Sequence, residues 1–358
     1  MQASDFILKK NKIIQNGKVS WRSPSNIALV KYWGKENPQL PKNPSLSFTL
    51  DACFTLTTLT YTKSNTEEID FDVLFEGEKK DDFKPKIATF FQRIEKYVPF
   101  IKDYNFVIET RNSFPHSSGI ASSASGMSAL SMCIMSIEKT INPDISDDYF
   151  YKKASFLARL GSGSAARSVK GELVVWGQHK DIPASSDLFG VSFPYDVHPI
   201  FKNFHDTILL VDKGQKQVSS TVGHKLMNDH PFAERRFEQA NDNINLLSEV
   251  LQSGAIKKFI EIVESEALTL HAMMMMSNPY FILMQPNTVA IIHKIWAFRK
   301  ETNTNICFTL DAGANVHVLY PKSEKEECNE FIVRELVPFC ENGQYINDSV
   351  GQGSRLVK

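Results

Sequence analysis

The run Phe114-Pro115-His116-Ser117-Ser118-Gly119-Ile120-Ala121-Ser122-Ser123-Ala124-Ser125-Gly126 reads as a loop that ends by becoming a helix. Pro115 and Gly119 punctuate the loop. From Ala121 onward, apolar residues recur at Ala124, Met127, Leu130, Ile134 and Ile137, which is the amphipathic helical period. The helix expected over 121–138 therefore begins among Ser, Gly and Ala, with no bulky side chain over its first backbone N–H groups. Unpaired N–H donors and the positive end of the helix dipole together make an anion site. Ser122 and Ser123 add hydroxyls within reach of a phosphate or of the metal ion bound to it. A Ser-rich helix cap accounts for the same residues, so other segments have to decide.

The chain has 358 residues, too many for one small core, and two domains are expected, divided as 1–195 and 196–358. Lys plus Arg number 40 against 41 Asp plus Glu, so there is no basic field of the kind that serves nucleic acid or an anionic membrane. No run approaches the ~18 apolar residues of a membrane span, and the first twelve residues lack the apolar core of a signal peptide. Cys53, Cys133, Cys307, Cys328 and Cys340 are scattered, which suits reduced thiols in a cytoplasmic protein. Met273–Met276 follows a helical pattern and reads as flexible core filling.

Short apolar, β-branched runs at Ile13-Ile14, Ile27–Tyr32 and Leu46–Tyr61 predict strands, separated by a loop that Pro38, Pro41 and Pro44 keep out of helix and sheet interiors. A hairpin over 69–78, a helix over 85–97 and a strand over 105–109 lead into the opening loop. A helix over 147–160, a strand over 173–176 and a Pro-rich boundary near 182–204 follow. The remainder reads as a strand at 207–211, helices at 232–252, 255–273 and 288–300, strands at 307–310 and 316–320, a charged helix at 323–336 and one last strand over 345–357. Elements mixed in this way imply an α+β protein of two packed layers with a cleft between them.

Three segments give the loop a chemical context. Lys31 stands inside the apolar run Ile27–Tyr32, where a buried ammonium is costly unless it faces an anion. Gly161-Ser162-Gly163-Ser164-Ala165-Ala166-Arg167-Ser168 offers backbone N–H groups, hydroxyls and a guanidinium fork suited to phosphate or carboxylate. Asp311 opens the turn between two predicted strands. A phosphate cradle, a second anion site, an interior lysine and a carboxylate fit ATP-dependent transfer to a small anionic substrate, which needs positioning, positive charge and a carboxylate near the accepting hydroxyl.

The segments Asn26–Lys35, Asn43-Pro44-Ser45-Leu46-Ser47, Phe114–Ser123, Gly161–Ser168 and Asp311-Ala312-Gly313-Ala314-Asn315 together resemble the diphosphomevalonate decarboxylases of the GHMP kinase superfamily, in family order. The resemblance implies a two-domain GHMP kinase fold: a first domain like ribosomal protein S5 domain 2, a ferredoxin-like second domain, and the active site in the cleft. It also implies ATP and Mg²⁺, a cytoplasmic homodimer, and conversion of (R)-5-diphosphomevalonate to isopentenyl diphosphate, CO₂, ADP and phosphate.

Carried over residue by residue, Asp311 matches the catalytic aspartate, Lys31 the lysine that supports it, and Arg167 the arginine held against the substrate carboxylate. The substrate-binding residues implied are Tyr32, Trp33, Gly34, Lys35, Lys86, Ser162, Gly163, Ser164, Ala165, Ala166, Ser220 and Thr221. Lys86 stands where relatives carry an arginine, whose bidentate fork it lacks. Pro115, Gly119, Ala121, Ser122 and Ser123 are the ATP-binding residues implied, and Ser122 or Ser123 is the expected magnesium contact. Departures are His116-Ser117-Ser118 in place of Thr-Ala-Ala, Ala166 in place of Cys and Ala314 in place of Pro. The alternatives are a phosphomevalonate decarboxylase, a kinase that stops at phosphorylation, and a non-catalytic anion-binding regulator on the same fold.

Overall fold

The structure, a computed structural model, describes residues 1–9, 14–64, 66, 68–115, 120–214 and 220–357, with the side chains of 220 and 221 excluded. Chain order begins β1 (Gly17–Val30), β2 (Lys35–Glu36), β3 (Leu40–Pro41), β4 (Ser45–Lys63), β5 (Phe71–Phe75) and β6 (Glu78–Lys79). Next come α1 (Lys84–Ile94), β7 (Tyr104–Asn112), α2 (Ser122–Ile141), α3 (Asp147–Gly161), β8 (Leu173–Trp176) and β9 (Val191–Ser192). The remainder is β10 (His205–Leu209), α4 (Ser220–Lys225), α5 (Ala233–Ser253), α6 (Ile256–Met275), α7 (Pro286–Thr302), β11 (Cys307–Leu310), β12 (Val316–Tyr320), α8 (Lys325–Phe331), β13 (Tyr345–Ser349) and β14 (Arg355–Val357).

Among the described residues, β14-β1-β4-β7-β5-β6 form one sheet, extended where β8 joins β4 and β9 joins β8. Long β1 and β4 run antiparallel as its spine. Pro24 has no N–H to donate, and β1 tolerates it because β14 pairs only Ser20, Trp21 and Arg22. One face of this sheet carries α1, α2 and α3, and their apolar stripes meet it in a core containing Phe90, Leu130, Ile134 and Phe156. A second sheet, β11-β12-β10-β13, carries α7 and α8 over Phe308, Val318 and Ile295. Between the sheets, Ile27, Phe48, Ile244, Phe259 and Leu319 share a further core, so the two halves bury apolar surface against each other.

Several expectations change in detail. The strand at Ile27–Tyr32 stops at Val30, leaving Lys31 and Tyr32 beyond it. The last strand is two: β13 pairs β10 in the second sheet, while β14 crosses back to pair β1 in the first. The charged helix ends at Phe331 and widens to a π turn over Ile332–Leu336. Gly163–Ser168 winds as a short 3₁₀ helix. In the methionine run, Met273 and Met274 are buried, but Met275 at the end of α6 and Met276 just beyond it face solvent. Ile13 lies outside the described residues.

Candidate active site

The site is built where β1 runs out. Beyond Val30 the Lys31 backbone leaves the ladder and is held by side chains instead. Its N–H donates to Glu266 Oε2 at 2.8 Å, and its carbonyl accepts from Asn43 Nδ2 at 2.9 Å and Arg236 Nη2 at 3.3 Å. Arg236 on α5 and Glu266 on α6 are themselves a fully buried pair, and Asn243 donates to Glu266 Oε1 at 2.6 Å. A charge pair removed from water is tolerable only with such additional hydrogen bonds. The network fixes the direction in which Lys31 leaves the backbone.

That direction is toward Asp311, at the end of β11. Lys31 Nζ lies 3.1 Å from Asp311 Oδ1, with the lysine 1% and the aspartate 31% exposed. Burial pushes the Lys31 pKa down, and Asp311 and Glu266 oppose the shift without cancelling it. Burial pushes Asp311 up, but Lys31, His317 and Arg167 overcome it, so the carboxyl is held below the usual aspartate value. His271 on α6 holds the Asp311 carbonyl through Nε2 at 3.1 Å. Burial, with Lys31 nearby, lowers the pKa of that imidazole to about 4, so it is neutral near neutral pH and Nε2–H donates.

Arg167, on the 3₁₀ turn after α3, is 4% exposed. Its Nε donates to Asn26 Oδ1 at 3.2 Å and its Nη1 to Ser45 Oγ at 2.6 Å. Burial lowers its pKa to about 10, which leaves it a cation near neutral pH. Asn26 in turn donates to the Ser164 carbonyl and to Ser168 Oγ, tying the turn to β1.

These groups meet in one cavity of about 320 Å³, near the lower end of the ~300–1,000 Å³ typical of small-ligand sites. Of the residues singled out from the sequence, Lys31, Tyr32, Trp33, Lys35, Lys86, Ala121, Ser123, Ser162, Gly163, Ser164, Arg167 and Asp311 line it. The Tyr32 hydroxyl is buried without a partner and remains protonated, because burial raises its pKa. Lys35 is shifted down by burial and by Arg93. Lys86 stays largely exposed, yet the surrounding protein and Lys35 lower its pKa as well.

Other expected residues fall elsewhere. Ala165 and Ala166 are buried behind the wall, their small methyls packed in the interior. Gly34 holds the wall through its backbone, its φ of +102° favouring glycine. Pro115 is exposed and lines neither this cavity nor the next. Gly119 and His116–Ser118 lie outside the described residues, as do the side chains of Ser220 and Thr221. Ser122 faces a second, more apolar cavity lined also by Thr57, Phe75, Phe83, Ile108 and Met127, which shares Lys86 and Ser123 with the first. Between the cavities, α2 begins after Ala121 in the left-handed conformation, and Ser123 Oγ lies 3.2 Å from Ser162 Oγ.

No group of three metal-ligating His, Cys, Asp or Glu side chains occurs among the described residues. Sequence reading missed His224, Gln39 and Leu270 in the cavity wall and the supporting residues His271, Glu266, Arg236 and Asn243. Only the histidines, as groups that titrate near neutral pH, carried a signal that could have marked them.

The chain is similar to known proteins along most of its length. Residues 23–188 match the diphosphomevalonate decarboxylase-like N-terminal domain, and residues 207–354 match the mevalonate 5-diphosphate decarboxylase C-terminal domain. The diphosphomevalonate decarboxylase of Ganoderma lucidum is 30% identical over 333 residues, covering 87% of this chain and 80% of that protein. A solved complex with MVAPP, AMPPCP and magnesium superposes with a TM-score of 0.81 at 27% identity, covering 95% of this chain and 99% of that one. The mevalonate diphosphate decarboxylase of Staphylococcus aureus gives a TM-score of 0.81 at 26% identity, covering 96% of this chain and 99% of that one. The α+β, two-domain architecture is that of these proteins, and this chain belongs to the diphosphomevalonate decarboxylase family.

Proposed function

We propose that this protein catalyses ATP-dependent decarboxylation of (R)-5-diphosphomevalonate to isopentenyl diphosphate, by way of phosphorylation at the C3 hydroxyl. The observation that carries the reading is the Lys31–Asp311 pair at 3.1 Å, open to the same cavity as Arg167.

The base of the nucleotide is assigned to the second cavity and its phosphates to the start of α2. Phe75 and Phe83, with ring centroids 5.5 Å apart, offer apolar surface for a base, and the first turn of α2 offers N–H groups to phosphates. Ser122 and Ser123 are the hydroxyls placed to reach phosphate or Mg²⁺; Ala121, Pro115 and Gly119 belong to the same loop. ATP with its magnesium supplies the phosphoryl group that turns a poor leaving group into a good one.

The chain's own residues do the rest. Asp311 accepts the C3 hydroxyl as a hydrogen bond and takes its proton; a carboxyl held low is a weak base, so it serves mainly to orient the hydroxyl, and the proton moves late. A loose phosphoryl-transfer transition state tolerates this, because it depends on position and electrostatics more than on a strong nucleophile. Lys31 fixes the aspartate and offsets charge beside it. Arg167 holds the substrate carboxylate so that its C–C bond can donate electrons to C3 as phosphate departs, forming the new double bond and releasing CO₂. Tyr32, Trp33, Gly34, Lys35, Lys86, Ser162, Gly163, Ser164, Ser220 and Thr221 bind the remainder of the substrate, with Ala165 and Ala166 packing behind them. Cationic charge beyond what the substrate neutralises would oppose the positive charge developing at C3, so the one carboxylate among these cations has electrostatic weight.

The reading carries with it a homodimer in the cytoplasm, the latter supported by five free, buried cysteines, and a division into working units near residues 195 and 196. The test is turnover of mevalonate, its 5-phosphate and its 5-diphosphate with ATP. Equal yields of ADP and CO₂ from the 5-diphosphate are expected; ADP without CO₂ would make the protein a kinase, and preference for the 5-phosphate would change the substrate.

A further inference from the structure

His224 is buried in the wall of the larger cavity and has no part in the chemistry above. It comes from α4, whose backbone presses so closely on β1's continuation that a Cβ on Gly223 would lie 2.5 Å from the Trp33 ring. The imidazole packs against both Tyr32 and Trp33, with ring centroids at 4.3 and 4.7 Å. Its Nδ1 accepts the Gly34 N–H at 3.0 Å, so that nitrogen bears no proton and the ring is the neutral Nε2–H form. Burial and the nearby charges of Lys35 and Arg167 favour the same form, lowering the pKa to about 3. With Nδ1 occupied, Nε2–H is the polar group left to the cavity. Beside it the Tyr32 hydroxyl is buried and unpartnered. Two neutral donors therefore stand among the cations Lys35, Lys86 and Arg167.

We propose that His224 Nε2–H donates a hydrogen bond to the phosphoryl chain of the substrate. Lys35 is its principal charged neighbour and Lys86 in turn neighbours Lys35, so the imidazole stands at the end of the cavity whose two lysines suit a phosphoryl chain. A neutral donor adds directional grip without adding cationic charge to a site where positive charge must develop on the substrate. The inference rests on the proposed function.

The experiment compares His224→Asn and His224→Gln with the wild type. Asparagine retains an oxygen at the Nδ1 position, so the Gly34 bond survives while the cavity donor is lost; glutamine carries an N–H out to the Nε2 position. KM for 5-diphosphomevalonate should rise ~10-fold in the Asn variant and stay within about threefold in the Gln variant, as expected for a hydrogen bond to a charged group, with kcat little changed. Wild-type KM in both variants would overturn the proposal. ¹⁵N NMR of histidine-labelled wild type reads it without a variant: 5-diphosphomevalonate and inorganic pyrophosphate should both shift His224 Nε2, and mevalonate should not. No shift with either phosphorylated probe also overturns it. Failure of the wild type to turn over 5-diphosphomevalonate would instead reject the proposed function.

Discussion

Lys31 and Asp311 are each shifted away from their ordinary values, and under the proposed mechanism the shifts set the pH range of activity. In that mechanism the working form has Lys31 charged and Asp311 ionised. Burial lowers the Lys31 pKa, so the working form is lost as pH rises through a value below the ordinary lysine ~10.4. The Asp311 pKa is also lowered, so that group stays ionised until pH falls below the ordinary ~3.9. The alkaline limb of kcat/KM should therefore lie on the acid side of a free lysine and move upward in Lys31→Arg, whose guanidinium stays charged; a limb that does not move would assign it to another group. Lys31 was legible in the sequence because a lysine in an apolar run needs an anion. Glu266, bonded to Lys31 across 235 positions, was not, because on a helix it looks like any solvated carboxylate.

At the scale of elements, two junctions set the geometry. The α3-to-3₁₀ turn brings Gly163 against Tyr32 and Trp176: a Cβ there would lie 2.8 Å from Tyr32 Oη and 3.0 Å from the indole. Gly163→Ala should overpack the wall by about 1–3 kcal/mol and raise KM by roughly tenfold while leaving far-UV circular dichroism unchanged. The α5–α6 junction supplies the buried Arg236–Glu266 pair. Glu266→Ala leaves that guanidinium unpaired, and should cost about 3–5 kcal/mol of stability in denaturant titration as well as activity. Loss of activity with full stability would mean that the pair acts only on Lys31. Strands such as 173–176, 307–310 and 316–320 were readable from periodicity and length. The end of β1 was not, since apolar residues continue past the point where side chains replace the ladder.

Across the molecule, the C-terminal segment binds the halves together. Asp348 accepts N–H groups of Asp51, Ala52 and Cys53 at 2.7–2.8 Å where β4 bends, and β14 then enters the first sheet. Asp348→Ala orphans those three donors and should lower stability by about 3 kcal/mol; an unchanged thermal midpoint would show that water replaces the carboxylate. The crossing of β14 could not be seen in the sequence, because the three exposed residues Arg355–Val357 give no sign of which sheet will claim them. The assembly of Lys31, Arg167 and Asp311, by contrast, was foreseeable as chemistry although not as geometry. The most direct test of that assembly is CO₂ and ADP release from 5-diphosphomevalonate and ATP by the wild type and Asp311→Asn, measured together. One CO₂ per ADP is expected from the wild type, and from the variant a kcat lower by ~10²–10⁴-fold with both products lost in parallel. Near-normal CO₂ release by Asp311→Asn would contradict the assignment of Asp311 to the C3 hydroxyl.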